Sequence, residues 1–251
     1  MEEAYDPFEL GKKVESAVSR KVKDSVLRKY YRFRGGSWYG GIATADVIGC
    51  NLRCSFCWGW RERERYEFIG EMMSPEDVVK RLLSISEKRG YERMRVSGGE
   101  PTLVFEHLVQ VLDALKKASS SYIFILETNG LLLGRFPEYA SLLSQYSFLH
   151  VRVSIKGCND EDFEVLTGAR RDFFRYQLQA LKNLRDSNVS VHPAIMISFS
   201  KKEECERLKD LIYEIDEAFI GNIEEEIVIL YPHVRELLRV KGLRPRIYTE
   251  P

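Results

Sequence analysis

Apolar and polar positions alternate along the chain with two different periods. Six short, largely apolar runs predict β-strands, and they cover residues 38–47, 94–97, 122–126, 149–155, 189–197 and 226–230. The segments between them have helical spacing, as in Leu108, Val111, Leu112 and Leu115. One of these helices, at residues 74–89, also has recognisable ends, because Ser74 can cap it, Pro75 suits its first turn and Gly90 can stop it.

Six strand-then-helix units predict an α/β fold in which a parallel sheet is joined by right-handed helical crossovers. Curled into a partial (β/α)6 barrel with its helices outside, such a sheet would present a polar site at the carboxyl ends of its strands. The conspicuous polar motifs of this chain follow the first four predicted strands. We therefore expect one site, at one end of the sheet.

Composition sets outer limits on the function. The 251 residues suit one α/β domain, and 38 basic side chains balance 38 acidic ones, so no overall field points to nucleic acid or membrane. No apolar run approaches the roughly 18 residues of a membrane span. The chain opens on an acidic stretch, unlike a signal peptide. These observations predict a cytoplasmic location and no membrane partner.

Charge is less even near the N-terminus. Residues 11–39 contain nine Lys or Arg against Glu15 and Asp24, with five aromatic residues between them. Such a stretch can bind a polyanion, but Val14, Val18, Val22 and Leu27 also fit one side of an amphipathic helix. We favour the helix. The predicted organisation is a helical, basic N-terminal extension at residues 1–36, followed by the barrel domain at residues 37–251.

Three cysteines, Cys50, Cys54 and Cys57, lie in a short polar loop after the first predicted strand. Structural zinc requires four ligands, typically in two pairs, and none of the remaining Cys or His residues forms a pair in sequence. Zinc stays an alternative. Disulfides are disfavoured by the odd cysteine count and the expected reducing compartment. Three thiolates can instead hold a [4Fe–4S] cube and leave one iron without a protein ligand.

The spacing Cys-x-x-x-Cys-x-x-Cys, with Phe56 before the third cysteine, resembles the signature of the radical S-adenosylmethionine (SAM) superfamily. Closest in pattern are its minimal, activating-type members. Residues 98–101, Gly-Gly-Glu-Pro, resemble the family's motif at the next strand end. The resemblance implies the same partial barrel, a [4Fe–4S] cluster bound by the three cysteines, and SAM bound to the open iron. The cysteines would then take part in catalysis through the cluster.

The resemblance also implies a set of SAM contacts. Residues 98–101 would meet the amino group, residues at the third strand end the ribose, Ser154 and Lys156 the carboxylate, and Phe56 the adenine. The predicted cofactor-binding residues are Phe56, Gly98, Gly99, Glu100, Glu127, Asn129, Ser154 and Lys156. Each motif also has a purely structural interpretation, as a strand-to-helix turn, an Asn-Gly turn or a core aromatic.

Reductive cleavage of SAM to a 5′-deoxyadenosyl radical, which abstracts hydrogen from a substrate, is the reaction that the resemblance implies. The electron would come from a ferredoxin-type or flavodoxin-type reductant. An activating-type enzyme would place a radical on a glycine of a partner protein. Alternatives are modification of tRNA or of a small molecule, or a non-catalytic iron–sulfur electron carrier.

Three further residues and one acidic run lie outside these motifs. Cys158 and Cys205 are isolated in sequence and are expected to be small buried side chains rather than ligands of a second cluster. His233, after the last predicted strand, is expected either to face the substrate or to lie on the surface. The acidic run at residues 224–226 is expected to be a solvent-exposed strand entrance.

Overall fold

A computed structural model describes residues 3–119 and 121–251 of the chain. The helices in this part of the chain are α1 (Pro7–Val18), α2 (Trp60–Glu64), α3 (Pro75–Arg89), α4 (Phe105–Ala118), α5 (Leu131–Arg135), α6 (Pro137–Leu143), α7 (Asp160–Thr167), α8 (Arg175–Asp186), α9 (Lys202–Ile215) and α10 (Pro232–Val240). The strands are β1 (Ser19–Val22), β2 (Ser25–Gly36), β3 (Ile42–Val47), β4 (Glu71–Met73), β5 (Arg93–Gly98), β6 (Ile123–Thr128), β7 (Leu149–Ile155), β8 (Ser190–Met196), β9 (Glu224–Glu226), β10 (Val228–Ile229) and β11 (Tyr248–Thr249).

Six of these strands form the predicted parallel sheet. They are hydrogen-bonded in the order β3-β5-β6-β7-β8-β9, and each neighbouring pair is parallel. Helices connect successive strands, as the alternation of periods predicts, so the α/β fold class is confirmed. No helix in the two described ranges is long and apolar enough to cross a membrane.

The two faces of the sheet differ in chemistry because side chains alternate along each strand. On β7, Val151, Val153 and Ile155 pack into the main hydrophobic core with the helices. The intervening Arg152 and Ser154 are buried on the other face, where they bind charged side chains of β9. The helices thus cover an apolar face, and the opposite face is left polar for a site.

Helix α3 begins and ends as its sequence predicts. The Ser74 hydroxyl accepts a hydrogen bond from the Asp77 backbone N–H at 3.1 Å, and Pro75 occupies the first turn. Gly90 ends the helix at φ +67°, a left-handed conformation that costs little without a Cβ.

The N-terminal segment differs from the predicted long helix. Helix α1 ends at Val18, and the chain then forms an antiparallel hairpin of β1 and β2. Strand β2 pairs antiparallel with β3, so the hairpin extends the main sheet. Alternating burial along β2 is the physical reason, because Val26, Arg28 and Tyr30 all point inward with period two. The domain boundary at residue 36 stays a prediction.

The predicted first and last strands are shorter than expected. Residues 38–40 form a single 3-10 turn with Tyr39 at φ +55°, and the strand starts only at Ile42. At the other end, the acidic run itself forms the sixth parallel strand, β9, whereas β10 pairs with β11 in a separate small sheet. The acidic run is therefore part of the sheet and not merely its entrance.

Cys158 and Cys205 form a disulfide, which corrects the expectation of two unpaired thiols. Cys158 follows β7 and Cys205 lies in α9, and the fold brings their Cα atoms to 4.8 Å although they are 47 positions apart. Such a distance permits a disulfide bond. Sequence reasoning missed the pair because nothing local links the two positions and because the expected reducing compartment disfavours disulfides.

Buried polar groups tie the hairpin to α4. The His107 Nδ1 lies 2.6 Å from the Val26 carbonyl oxygen, and its Nε2 lies 2.9 Å from the Tyr30 hydroxyl. A carbonyl can only accept, so Nδ1 carries the proton and Nε2 of the neutral ring accepts from Tyr30. Burial lowers the pKa of His107 from 6.5 to about 4, which keeps the ring neutral.

Replacing Cys205 by Ser should lower the free energy of unfolding by about 2–4 kcal/mol, because the unfolded chain loses a cross-link. Urea unfolding of both proteins, with and without a thiol reductant, measures the difference. Reductant should bring the wild type to the stability of the variant and leave the variant unchanged. A wild type that is insensitive to reductant would contradict the disulfide.

Acid should destabilise the fold through His107. Its pKa of about 4 lies below the ordinary 6.5, so its contribution is complete above pH 6.5 and is lost as the pH falls towards 4. Between pH 7 and pH 5 the expected loss is about 2 kcal/mol. The His107→Gln variant can keep both hydrogen bonds but does not titrate. Its free energy of unfolding should therefore fall less over this range, and equal slopes for the two proteins would refute the assignment.

Candidate active site

The three cysteines predicted as iron ligands lie in the loop that follows β3. All three are unpaired thiols, and a turn in which the Cys57 N–H donates to the Cys54 carbonyl at 3.2 Å shapes the loop. The Leu52 N–H points at the Cys50 sulfur at 3.4 Å. The loop thus presents all three sulfur atoms from one short segment at the carboxyl end of the sheet.

The donor set suits a bound cationic centre. Burial raises the pKa of Cys50 to about 12 and that of Cys54 to about 11, so the thiolates need positive charge beside them. A metal centre supplies such charge. The neighbouring Asn51 is fully buried, and its side-chain N–H₂ has no hydrogen-bond partner within the described chain. A buried donor without a partner is a sign that a ligand belongs there.

In the described ranges, no group of three or more His, Cys, Asp and Glu side chains is placed to hold a single metal ion. A [4Fe–4S] cube has a different requirement, because each thiolate binds its own iron atom. The three sulfur atoms therefore need to surround a cluster and need not meet at one ion.

Two glycines let the next loop pack against the cysteine loop. Gly98 has φ +93°, and a Cβ on Gly99 would lie 2.1 Å from the Gly49 carbonyl oxygen. Backbone hydrogen bonds of 2.8 Å run from Gly99 N to Val47 O and from Glu100 N to Gly49 O. Both glycines are thus explained by the close approach of two loops, whether or not a ligand also touches them.

Glu100, predicted to bind the SAM amino group, is 2% exposed and accepts four hydrogen bonds from within the protein. Its Oε1 accepts from the Thr102 N–H at 3.0 Å and from the Thr102 and Thr128 hydroxyls at 2.7 Å each. Its Oε2 accepts from the Asn129 N–H at 2.7 Å. The carboxylate therefore joins the loops that follow β5 and β6.

Asn129 and Glu127, predicted ribose contacts, also have protein partners. Asn129 Nδ2 donates to Asn51 Oδ1 at 2.8 Å and points at the Cys50 sulfur at 3.9 Å. Glu127 accepts from Arg95 at 2.7 Å and from Ser97 at 2.5 Å. Asn129 thus lies against the cysteine loop. Glu127 belongs to a charged network on the polar face of the sheet, which is the face opposite the helices.

Ser154 and Lys156 lie together, as their spacing predicts, and Lys156 donates to the Ser154 hydroxyl. Their anionic partner within the protein is Glu226, at 2.7 Å from Ser154 and 3.8 Å from Lys156. Burial opposes ionisation of Glu226, but Lys156 and Arg152 nevertheless lower its pKa. Sequence reasoning missed Glu226. The available sequence signal was the spacing of Glu224 and Glu226, which places both on one face of a strand. In the structure both carboxylates bind Arg152.

Phe56, the predicted adenine contact, lies beside a second aromatic ring and a lysine. Its ring stacks on Phe199 with centroids 5.7 Å apart, and Lys156 Nζ lies 5.9 Å from its centre. His233 contacts the same loop from α10, because its Nε2 lies 2.9 Å from the Trp58 carbonyl oxygen. Substrate contact by His233 stays a prediction.

The model of the Radical SAM superfamily matches residues 47–212, which is most of the chain. Among curated relatives, a GTP 3′,8-cyclase of Clostridium perfringens (strain SM101 / Type A) is 29% identical over 176 residues, 68% of this chain and 51% of that protein. A probable GTP 3′,8-cyclase of Methanococcus vannielii is 33% identical over 119 residues, 47% of this chain and 37% of its own. The chain thus spans about half or less of these relatives.

Solved structures resemble the fold. The structure of anSMEcpe with bound AdoMet and the Cp18Cys peptide has a TM-score of 0.54 and 22% identity, and the match covers 76% of this chain and 50% of that one. Streptococcus suis SuiB bound to S-adenosylmethionine has a TM-score of 0.56 and 16% identity, with 82% and 49% covered. Identities this low support the partial-barrel fold and nothing more specific.

Replacing Glu100 by Gln should destabilise the protein, because an amide N–H₂ would face groups that can only donate or prefer to donate. One unsatisfied buried group costs about 1–3 kcal/mol. Urea unfolding of Glu100→Gln beside the exposed control Glu87→Gln measures this cost. Equal stabilities would show that the four hydrogen bonds do not support the fold.

Proposed function

The chain belongs to the Radical SAM superfamily, and we propose that it cleaves SAM reductively at the site formed by the cysteine loop. Members of the family use a [4Fe–4S] cluster and SAM. The observation that carries the proposal is the packing of a three-thiol loop against the Gly-Gly-Glu turn at the carboxyl ends of β3 and β5. An electron carrier has no need of this second loop.

Cys50, Cys54 and Cys57 would hold the cluster through their thiolates. When bound, the cluster and SAM together supply one-electron chemistry that ends in a 5′-deoxyadenosyl radical able to abstract hydrogen. The electron would come from a ferredoxin-type or flavodoxin-type reductant, and the cytoplasm is the proposed location.

The remaining residues of the site would bind and orient SAM. Gly98 and Gly99 expose backbone beside the cysteine loop, and the Phe56 ring offers an apolar face for the adenine. Lys156 and Ser154 could turn from Glu226 towards a carboxylate, since their contacts with it involve side chains alone. Asn129 and Glu100 would act mainly by holding the loops in place.

The charges on the polar face of the sheet, opposite the helices, favour a polar substrate. This face carries ion pairs between Arg95 and Glu127 at 2.7 Å and between Arg152 and Glu224 at 2.8 Å. An apolar substrate would remove water from these ion pairs without offering hydrogen bonds in return, which is costly. The substrate therefore carries hydrogen-bonding groups of its own.

The activating-type role, with a glycine of a partner protein as substrate, is our first candidate for the finer function. A second is a reaction on a purine nucleotide, which is favoured by the relatives named GTP 3′,8-cyclase. Product formation with GTP, against a mixture of polypeptides, separates the two. A parallel assay with tRNA tests the third candidate, modification of tRNA.

Anaerobically reconstituted, dithionite-reduced protein should form 5′-deoxyadenosine from SAM, and Cys57→Ala should lose nearly all of this activity. Chromatographic detection of 5′-deoxyadenosine, with iron and sulfide content measured on both proteins, is the test. Glu87→Gln, an exposed substitution in α3 outside the site, serves as a control for handling. Equal product from wild type and Cys57→Ala would refute the proposal.

A further inference from the structure

Arg28 is a buried arginine of the N-terminal hairpin and lies beside the candidate site. It lies in β2 and is 1% exposed. Its guanidinium donates to the Glu100 carbonyl oxygen at 2.6 Å and to the Pro101 carbonyl oxygen. These are the last two carbonyls of the Gly-Gly-Glu-Pro turn. Arg28 thus hydrogen-bonds to the same turn that packs against the cysteine loop.

The charge of Arg28 has no close counter-ion in the described ranges. No carboxylate there lies within salt-bridge distance, and its Nε is buried without a hydrogen-bond partner. A buried charge without an opposite charge is strongly unfavourable on general grounds. Two carbonyl oxygens offset only part of that cost, so the position is favourable only if negative charge is held nearby.

The negative charges that act on Arg28, all beyond ion-pair distance, include the carboxylates of Glu100 and Glu15 and the cysteine loop at Cys50. Glu100, whose carbonyl accepts from Arg28, donates its own N–H to the Gly49 carbonyl at 2.8 Å, and Gly49 precedes Cys50. One side-chain hydrogen bond and one backbone hydrogen bond therefore connect Arg28 to the residue before the first thiol. Three thiolates and a bound cluster would place net negative charge at that point.

The hairpin holds Arg28 rigidly. Its neighbours on the inward face of β2, Val26 and Tyr30, are both hydrogen-bonded to His107. Strand β2 also pairs with β3, the strand that leads into the cysteine loop. A fixed cation of this kind pays no reorganisation cost when the charge of its surroundings changes.

We propose that Arg28 is a positioning residue and the buried counter-cation of the cluster site. It holds the Gly-Gly-Glu-Pro turn through two carbonyls, and its fixed charge favours the reduced cluster, which carries one more electron than the oxidised form. This inference rests on the proposed function. It assigns a role in that function to a residue outside the matched range 47–212.

The test compares Arg28→Met, which removes the charge, with Arg28→Lys, which keeps it. The exposed Arg20 of the same hairpin gives the matched control Arg20→Met. Each protein is reconstituted anaerobically to equal iron and sulfide content and titrated with dithionite. The midpoint potential is followed by electron paramagnetic resonance, and SAM binding is measured by equilibrium dialysis.

Reduction of Arg28→Met should be about tenfold less favourable, which lowers the one-electron midpoint potential by about 59 mV. Arg28→Lys and Arg20→Met should keep the wild-type potential. Both Arg28 variants should bind SAM more weakly, because neither holds two carbonyls with a planar fork. The wild type alone reports on the proposed function, through its cluster content and 5′-deoxyadenosine, so the two proposals can fail separately.

A wild-type potential in Arg28→Met would overturn the counter-cation role, and so would equal shifts in Arg28→Met and Arg28→Lys. Unchanged SAM binding in both variants would overturn the positioning role. If Arg28→Met does not retain a cluster, Arg28→Gln, which also removes the charge but can still donate to a carbonyl, decides the matter: a lowered potential supports the proposal and an unchanged one overturns it.

Discussion

The buried carboxylate of Glu100 is the interaction on which the candidate site depends. It accepts four hydrogen bonds, from Thr102, Thr128 and the backbone of Asn129, and thereby fixes the loop after β5 to the loop after β6. Asn129 continues the connection to Asn51 and Cys50. Three loops from three parallel strands are thus held at one end of the sheet by groups with no freedom to reorient, which is the preorganisation that binding a cluster and a cofactor requires.

The polar face of the sheet, opposite the helices, makes a second contribution to the candidate site through its charges. Arg152 lies between Glu224 and Glu226, and Glu226 in turn contacts Ser154 and Lys156. Buried ion pairs of this kind add little to stability compared with apolar packing. Their value is that they keep a polar surface beneath the site while the opposite face, with Val151 and Val153, packs against the helices.

Sequence patterns predicted the parts of this structure that local periodicity determines. The six parallel strands and the ends of α3 were predictable because alternation, Ser74 and Gly90 act within a few residues. The Cys158–Cys205 disulfide and the Lys156–Glu226 contact were not, because each joins positions far apart in the chain. The hairpin was misjudged because Val14, Val18 and Val22 fit a helix, although only the first two lie in one.

The same distinction explains why the sequence identifies the family but does not fix the role of each site residue. Motifs such as the cysteine spacing identify which residues gather at the strand ends, but not whether a polar side chain faces a ligand or another loop. Glu100 and Asn129 both resemble ligand contacts in sequence, yet their hydrogen-bonding capacity is largely used within the protein. Arg28 shows the converse, because nothing in its local pattern separates it from the other basic residues of the N-terminal segment. Only its burial against the Glu100 and Pro101 carbonyls reveals it as part of the site.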